Sequence, residues 1–150
     1  MITKSTEPLA GLYDADETAW LDAMSELIGD GDHDALDYAN LGEYLADMAL
    51  RHRKKVESRS AILAAHVLKW IHQPDKRSQS WRGTIVTQRF KLTKLLESGA
   101  LRRHAEAVLV QCYAEAVDMA TEETGLPVNT FPSECLWTLD QLMSAEVLGD

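Results

Sequence analysis

The segment from Trp70 to Arg82 combines two tryptophans, two arginines and two serines around a single proline. That proline ends the preceding helix, because it lacks an amide donor and its ring blocks continuation. Arg77 and Arg82 can stack on the indoles of Trp70 and Trp81, with a gain of about 0.5–2 kcal/mol per contact. The free amides of a helix start can also receive a phosphate. The segment therefore predicts either a fixed corner between antiparallel helices or an anion site formed by Arg77, Ser78 and Arg82.

A second polar group consists of His52, Arg59 and His66, which lie seven residues apart on an otherwise apolar stripe. A buried guanidinium keeps its charge and therefore needs a carboxylate partner. The spacing predicts a polar ladder that fixes the register of one helix, with Arg59 largely buried and paired with an acid. A catalytic or metal-binding role for the two histidines is the alternative. No His-x-x-x-His or Glu-x-x-His spacing supports such a role.

Acidic residues alternate from Asp30 to Asp34, as they do at the start of a calcium-binding loop. The remainder of that motif is missing, because Ala35 occupies the position of the turn glycine and Leu41 that of the bidentate glutamate. We interpret the segment as a turn followed by an acid-rich helix start, which suits the helix dipole. No motif predicts a cofactor, and we expect no metal site in this chain.

The charges are sorted along the chain. Residues 51–103 hold fourteen of the fifteen Lys and Arg and three acids, a net charge of +11, whereas residues 1–50 carry −11 and residues 104–150 carry −9. The densest basic cluster comprises Arg51, Arg53, Lys54 and Lys55, which would suit phosphate contacts with a nucleic acid. We favour pairing with acids of the flanking helices or a solvated face, because the bases point in many directions and the total charge of −9 opposes a polyanion.

Apolar residues recur every three or four positions, which predicts helices separated by Gly and Pro. The predicted helices cover about residues 15–28, 38–73, 78–98, 100–124 and 139–146. Asp14 is expected to cap the first, Ser78 or Ser80 the third, and Thr138 the last through a capping box with Gln141. The predicted fold is all-α: a bundle of four main helices, one of them long and central, plus a short carboxy-terminal helix. Residues 1–150 form a single domain in this interpretation, with residues 1–12 loosely ordered.

One segment is distinctive enough to suggest a family. Residues 68–85 read LKWIHQPDKRSQSWRGTI, and residues 124–127 and 131–135 read TGLP and FPSEC. Together these segments resemble a bacterial family catalogued as domain of unknown function 29, over roughly residues 12–148. The resemblance implies an all-helical bacterial protein and supplies no reaction, cofactor or substrate.

The overall composition indicates which class of protein this chain belongs to. The chain is 45% hydrophobic and 26% charged, as globular proteins are. No apolar run reaches the roughly 18 residues that a membrane span requires, and the first residues contain no apolar export signal. Cys112 and Cys135 do not form a disulfide framework. These features predict a cytoplasmic protein that does not interact with a membrane.

The predicted function is a non-enzymatic interaction protein that forms a homodimer. A long helix would leave an apolar segment around Leu41, Tyr44, Leu45 and Met48 uncovered, and a second copy is its simplest cover. The first alternative is a nucleic-acid-binding accessory protein that uses the basic middle segment. The second is a small enzyme with its site at the corner of Trp70, Arg77 and Trp81.

Overall fold

A computed structural model describes residues 6–144 and residue 148. The helices are α1 (Thr6–Ala15), α2 (Glu17–Gly29), α3 (Tyr38–His72), α4 (Gln79–Leu95), α5 (Gly99–Thr124) and α6 (Leu139–Leu142). No strand occurs in this part of the chain. The all-α prediction, with its long helix and short carboxy-terminal helix, is confirmed. Helix α1 was not predicted, since residues 6–12 were expected to be loosely ordered. Residues 1–5, 145–147 and 149–150 lie outside the described residues, and the predicted end of the last helix, at residue 146, falls among them.

The contacts between residues group the chain into two compact units, and the boundary falls between Leu50 and Arg51. Helix α3 runs through this boundary as one continuous helix of 35 residues, without a break at Gly42. The amino-terminal unit contains α1, α2 and the first turns of α3. The carboxy-terminal unit contains the rest of α3 with α4, α5 and α6. The single-domain assignment stays a prediction.

The amino-terminal unit is built around Trp20, which is fully buried. The ring of Tyr13 packs edge-on against the indole, with 4.8 Å between the ring centroids. Trp20 Nε1 donates a hydrogen bond of 3.1 Å to Asp37 Oδ2, and Asn40 Nδ2 donates to the same oxygen at 2.7 Å. Asp37 is buried, and its Oδ1 accepts the backbone N–H of Asn40 in the first turn of α3. This carboxylate therefore fixes the start of α3 on the Trp20 core.

The helix ends follow local rules, with one correction to the predicted caps. Asp16, not Asp14, caps α2 by accepting the Ala19 N–H at 3.1 Å, because α1 extends through Ala15 and occupies position 14. The left-handed residue that follows α2 is Gly31 (φ 72°). The caps predicted for α4 and α6 are confirmed: Ser78 Oγ accepts from Trp81 N, and the capping box at the start of α6 is complete.

In the carboxy-terminal unit, α3 is buried on nearly all sides between residues 60 and 70. Small side chains make this possible, since four of them let neighbouring segments approach the α3 backbone closely. They are Ser60, Ala61, Ala64 and Ala65. Ile85 and Leu92 of α4 and Ala116 of α5 cover this segment and are themselves at most 1% exposed.

The segment after α5 packs onto the same core. Phe131 is 3% exposed, and Tyr113 Oη donates a 2.5 Å hydrogen bond to the Pro132 carbonyl. The ring of Trp137 packs edge-on against Tyr113, with the centroids 5.9 Å apart. Phe131 therefore belongs to the core of this unit, and Trp137 packs against that core.

The first prediction concerns Asp37. Asp37→Ala removes the acceptor of the fully buried Trp20 indole N–H, and an orphaned buried donor costs about 1–3 kcal/mol. We expect the free energy of unfolding in urea, measured by circular dichroism, to fall by that amount. Asp22→Ala, at an exposed acid of α2, is the control and should leave it within about 0.5 kcal/mol. Equal effects of the two substitutions would contradict the role assigned to Asp37.

Candidate functional site

The corner between α3 and α4 brings the predicted residues together around Trp70, which is 7% exposed. Arg77 Nε donates a 2.8 Å hydrogen bond to the Trp70 carbonyl, and its guanidinium carbon lies 4.9 Å from the centroid of the indole. The guanidinium carbon of Arg82 lies 5.6 Å from the same centroid. A cation that bonds a carbonyl in the last turn of a helix also suits the helix dipole. Arg77 therefore stabilises the end of α3, as we predicted for a fixed corner between helices.

The anion-binding interpretation of the corner stays a prediction. Arg77, Ser78 and Arg82 are neighbours in the structure, so the residues proposed as ligands do converge. All three already have structural partners: Ser78 Oγ caps α4, Arg77 Nε bonds the end of α3, and Arg82 lies against the Trp70 ring. An anion would have to use the remaining guanidinium N–H groups of this corner.

Lys69 is a buried charge that the sequence analysis did not single out. It is 5% exposed, and its Nζ donates a 2.5 Å hydrogen bond to Glu123 Oε2 in the last turn of α5. The same Nζ lies 5.0 Å from the centroid of the Trp81 ring and 3.5 Å from His66 Nε2. The sequence feature that indicates its burial is its position between the apolar residues Leu68 and Trp70, where a solvated lysine is not expected.

The structure does not form the predicted ladder of His52, Arg59 and His66. His52 is exposed, and Arg59 is half-buried with its Nη1 bonded to the neutral Gln88 Oε1 at 3.3 Å. The predicted Arg59–carboxylate pair is therefore wrong, because α4 offers an amide at this position. A seven-residue repeat drifts by about 20° per step around a straight helix. The three side chains therefore do not lie along one line on the surface of α3.

His66 has a structural role in the corner. Its Nδ1 lies 2.9 Å from the Ile62 carbonyl, so a neutral ring donates Nδ1–H there and presents Nε2 as an acceptor towards Lys69. Burial lowers the pKa of His66, and the ammonium of Lys69 lowers it further, whereas the Ile62 carbonyl and the Glu123 carboxylate oppose the shift. The imidazole is therefore neutral near pH 7 and is engaged at both nitrogens.

Some bases of residues 51–103 form ion pairs with acids, and others do not. Lys69 of α3 pairs with Glu123 of α5, and Arg102 of α5 pairs with Glu106 and Asp140. Four lysines in the same range form no ion pair with a described residue: Lys54, Lys55, Lys91 and Lys94. Pairing of the whole basic segment with acids of the flanking helices stays a prediction.

The family model described as Domain of unknown function DUF29 matches residues 12–148. The chain belongs to this family. The matched range includes the Trp70 corner and the segment after α5, where the resemblance was first seen. No curated protein and no solved structure matches the chain.

Other features relevant to catalysis are sparse in the described residues. Burial raises the pKa of the Cys112 thiol to about 11, and burial also raises the pKa of Cys135, so neither thiol is activated. Within residues 6–144 and 148, no three side chains among His, Cys, Asp and Glu are grouped closely enough to hold a metal ion. None of the described helices is both long and apolar enough to cross a membrane.

A shallow groove of about 220 Å³ lies between the end of α3 and the segment after α5. Its walls are mainly apolar and include Leu68, Ile71, Tyr113 and Trp137. His72 is its one titratable imidazole, and burial lowers the pKa of this ring. The histidines of the predicted ladder do not line this groove.

Exposed apolar side chains lie on two helix faces. On α4, Val86 and Phe90 are 59% and 61% exposed. On the first turns of α3, Leu45 is 60% exposed, whereas Leu41 and Tyr44 pack against the Trp20 core. The predicted dimer segment is therefore only partly uncovered: Leu41 and Tyr44 pack against the Trp20 core, whereas Leu45, one turn after Leu41, is exposed.

The second prediction tests the buried lysine. Glu123→Ala leaves the Lys69 ammonium buried without a counter-charge, and we expect the free energy of unfolding to fall by about 2–3 kcal/mol; Glu123 is half exposed, which moderates the loss. Lys69→Met replaces the cation with an apolar chain of similar length and should cost less than about 1 kcal/mol. Urea denaturation monitored by circular dichroism gives both values. A larger loss for Lys69→Met would contradict this account.

Proposed function

We propose that this chain is a non-enzymatic, cytoplasmic helical interaction protein of bacteria, and that it acts as a homodimer. The observation that carries the proposal is the outer face of α4, which is apolar and basic. The bacterial origin is proposed from the family resemblance of residues 68–85. The cytoplasmic location is proposed from Cys112 and Cys135, which are both free thiols, as is usual in a reducing compartment.

The α4 face consists of Gly83, Val86, Phe90, Lys91 and Lys94, which share the side of α4 opposite to the buried Ile85 and Leu92. Helix α4 carries four bases and no acid. Lys94 Nζ lies 4.6 Å from the centroid of the Phe90 ring. Large apolar side chains one turn apart form a contiguous exposed patch, and such patches mark interaction sites. A rim of bases around it favours an acidic partner surface.

The third prediction tests self-association through the α4 face. The wild-type chain is expected to sediment at equilibrium above its monomer mass of 16.7 kDa at micromolar concentration. Val86→Ser with Phe90→Ser removes the apolar centre of the α4 face, and we expect the dissociation constant to rise at least tenfold. A tenfold change corresponds to about 1.4 kcal/mol, less than burying one large side chain contributes.

The matched control is Val110→Ser on α5, which changes a valine that is 74% exposed and lies outside the α4 face. This variant is expected to associate as the wild type does. A wild-type chain that remains monomeric up to high micromolar concentration would refute the proposed homodimer. Equal weakening by Val110→Ser would show that the α4 face is not the interface.

Nucleic-acid binding is a second candidate function, and one observation favours it. Lys54 and Lys55 are exposed and form no ion pair with any described residue, so their ammonium groups are available to phosphates. Each phosphate neutralised by such a cation releases a counterion, which makes the affinity depend on salt.

The fourth prediction concerns this candidate. If the basic cluster binds single strands, Lys54→Glu with Lys55→Glu will weaken binding to a labelled single-stranded oligonucleotide, measured by fluorescence anisotropy. The slope of log affinity against log salt will also decrease, by about 0.7 for each lost phosphate contact. Lys76→Glu, at an exposed base of the corner, is the control. Absence of binding by the wild type at low salt would dismiss this function.

A further inference from the structure

We infer that a cleft between α5 and the segment that follows it binds a small primary amine with an apolar body. The α5 cleft has a volume of about 410 Å³, within the range of about 300–1,000 Å³ that is usual for small-molecule sites. It shares no residue with the α4 face, so the inference does not depend on the proposed homodimer. One wall consists of Tyr113, Ala114, Val117 and Asp118 of α5, and the other of residues 128–129 and 131–133.

The α5 cleft exists because the chain turns back beside α5. Gly125, the left-handed residue after α5 (φ 71°), ends the helix and redirects the chain. Tyr113 Oη donates its hydrogen bond to the Pro132 carbonyl and holds the returning segment against α5. Phe131, which is 3% exposed, anchors the same segment in the core. Both walls are therefore fixed before a ligand arrives, which reduces the entropic cost of binding.

The inner part of the α5 cleft is apolar and unfilled. Val117 and Phe131 line it, and both are at most 9% exposed. Ala114, next to Tyr113 on α5, is exposed, and its side chain ends at the methyl group, which leaves the space open. An alkyl or aromatic body that enters this space removes apolar surface from water, and this is a favourable term in binding.

Three polar side chains line the same cleft: Asp118, Asn129 and Ser133. None of them forms an ion pair or a side-chain hydrogen bond with a described residue. Their oxygens, in a carboxylate, a carboxamide and a hydroxyl group, are all hydrogen-bond acceptors. A primary ammonium group has three N–H donors and no acceptor. It therefore matches this set of acceptors in both number and kind.

The charge around the α5 cleft favours a cation over an anion. Asp118 is the only charged side chain among the described residues that line it. Residues 104–150 contain nine acids and no Lys or Arg, so the surrounding segment is negative as well. Such a field attracts an ammonium group and repels a carboxylate or a phosphate. An amine is consequently favoured over an alcohol or an acid of similar shape.

The test compares three probes of similar shape and different charge: 2-phenylethylamine, 2-phenylethanol and 3-phenylpropanoate. Binding is followed by NMR titration of the ¹⁵N-labelled chain at low millimolar probe concentration. We expect saturable shifts of backbone amides in residues 113–118 and 128–133. The amine should bind about three- to tenfold more tightly than the alcohol, as a partly exposed charged hydrogen bond allows, and the acid should bind most weakly. Absence of saturable shifts with the amine, or equal binding of amine and alcohol, would overturn the inference.

Asp118→Asn keeps the shape of the side chain and removes its charge. We expect the affinity for the amine to fall to that for the alcohol, while the affinity for the alcohol stays unchanged. The matched control is Glu122→Gln, at an exposed acid one turn later on α5 that does not line the cleft. Each substitution removes one negative charge, so an equal loss in both variants would mean that net charge, and not the α5 cleft, attracts the amine.

Ala114→Phe fills the α5 cleft from an exposed helical position. We expect the affinities for the amine and the alcohol to fall at least tenfold, because both lose the space for their apolar body. Ala107→Phe, at an exposed alanine of α5 outside the cleft, is the control and should bind both probes as the wild type does. Undiminished binding by Ala114→Phe would overturn the cleft as the site.

Two further measurements complete the test. Helical content and melting temperature, measured by circular dichroism, should match the wild type in every variant, because all the changed side chains are exposed. None of the substitutions touches the α4 face, so sedimentation equilibrium should give the same association state for each of them. Loss of amine binding with unchanged association would support the α5 cleft as a site of its own, whereas amine binding that is lost only on dissociation would contradict it.

Discussion

The buried ammonium of Lys69 is the constraint on which the carboxy-terminal unit depends. A lysine with almost no exposed surface cannot be left without a counter-charge, so the end of α5 must bring Glu123 within hydrogen-bonding distance. The same Nζ lies over the Trp81 ring, and this contact fixes the first turn of α4. Nε2 of His66 faces the ammonium as a hydrogen-bond acceptor. One charge thus sets the positions of α4 and α5 relative to the end of α3. Apolar packing around the small residues of α3 is non-directional and would not by itself select this register.

The sequence predicted those features whose causes lie within a few residues. The caps Ser78 and Thr138 were located correctly, because capping requires only a suitable side chain at the right local position. The wrong cap for α2 followed from missing α1, which occupies the position assigned to Asp14. The Lys69–Glu123 pair joins residues 54 positions apart, and no local pattern indicates which acid a buried base will meet.

The same distinction applies to the candidate sites: contacts between residues close in the sequence were predicted, and contacts between distant residues were not. The Trp70 corner was predicted because its arginines lie within twelve residues of the indole that they contact. The ladder of His52, Arg59 and His66 was predicted from its spacing alone. Whether those side chains are buried depends on the neighbouring helices, so the prediction was wrong. Arg59 meets Gln88 of α4, an amide that satisfies part of the guanidinium without a charge. A seven-residue repeat on one helix therefore does not by itself predict burial or a partner.

The separation of charge along the sequence acquires a physical meaning when it is compared with the helix faces. Within the described residues, Lys91 and Lys94 of α4 form no ion pair, so these two charges do not serve to join helices of the carboxy-terminal unit. Sorted charge has a cost, because like charges repel within each segment, and it is useful where two complementary surfaces must recognise each other. Lys94 lies over the exposed ring of Phe90, and the exposed Val86 is one turn before that ring. In the proposed interaction protein, the apolar area of the α4 face would supply affinity, and its lysines would favour a partner surface of opposite charge.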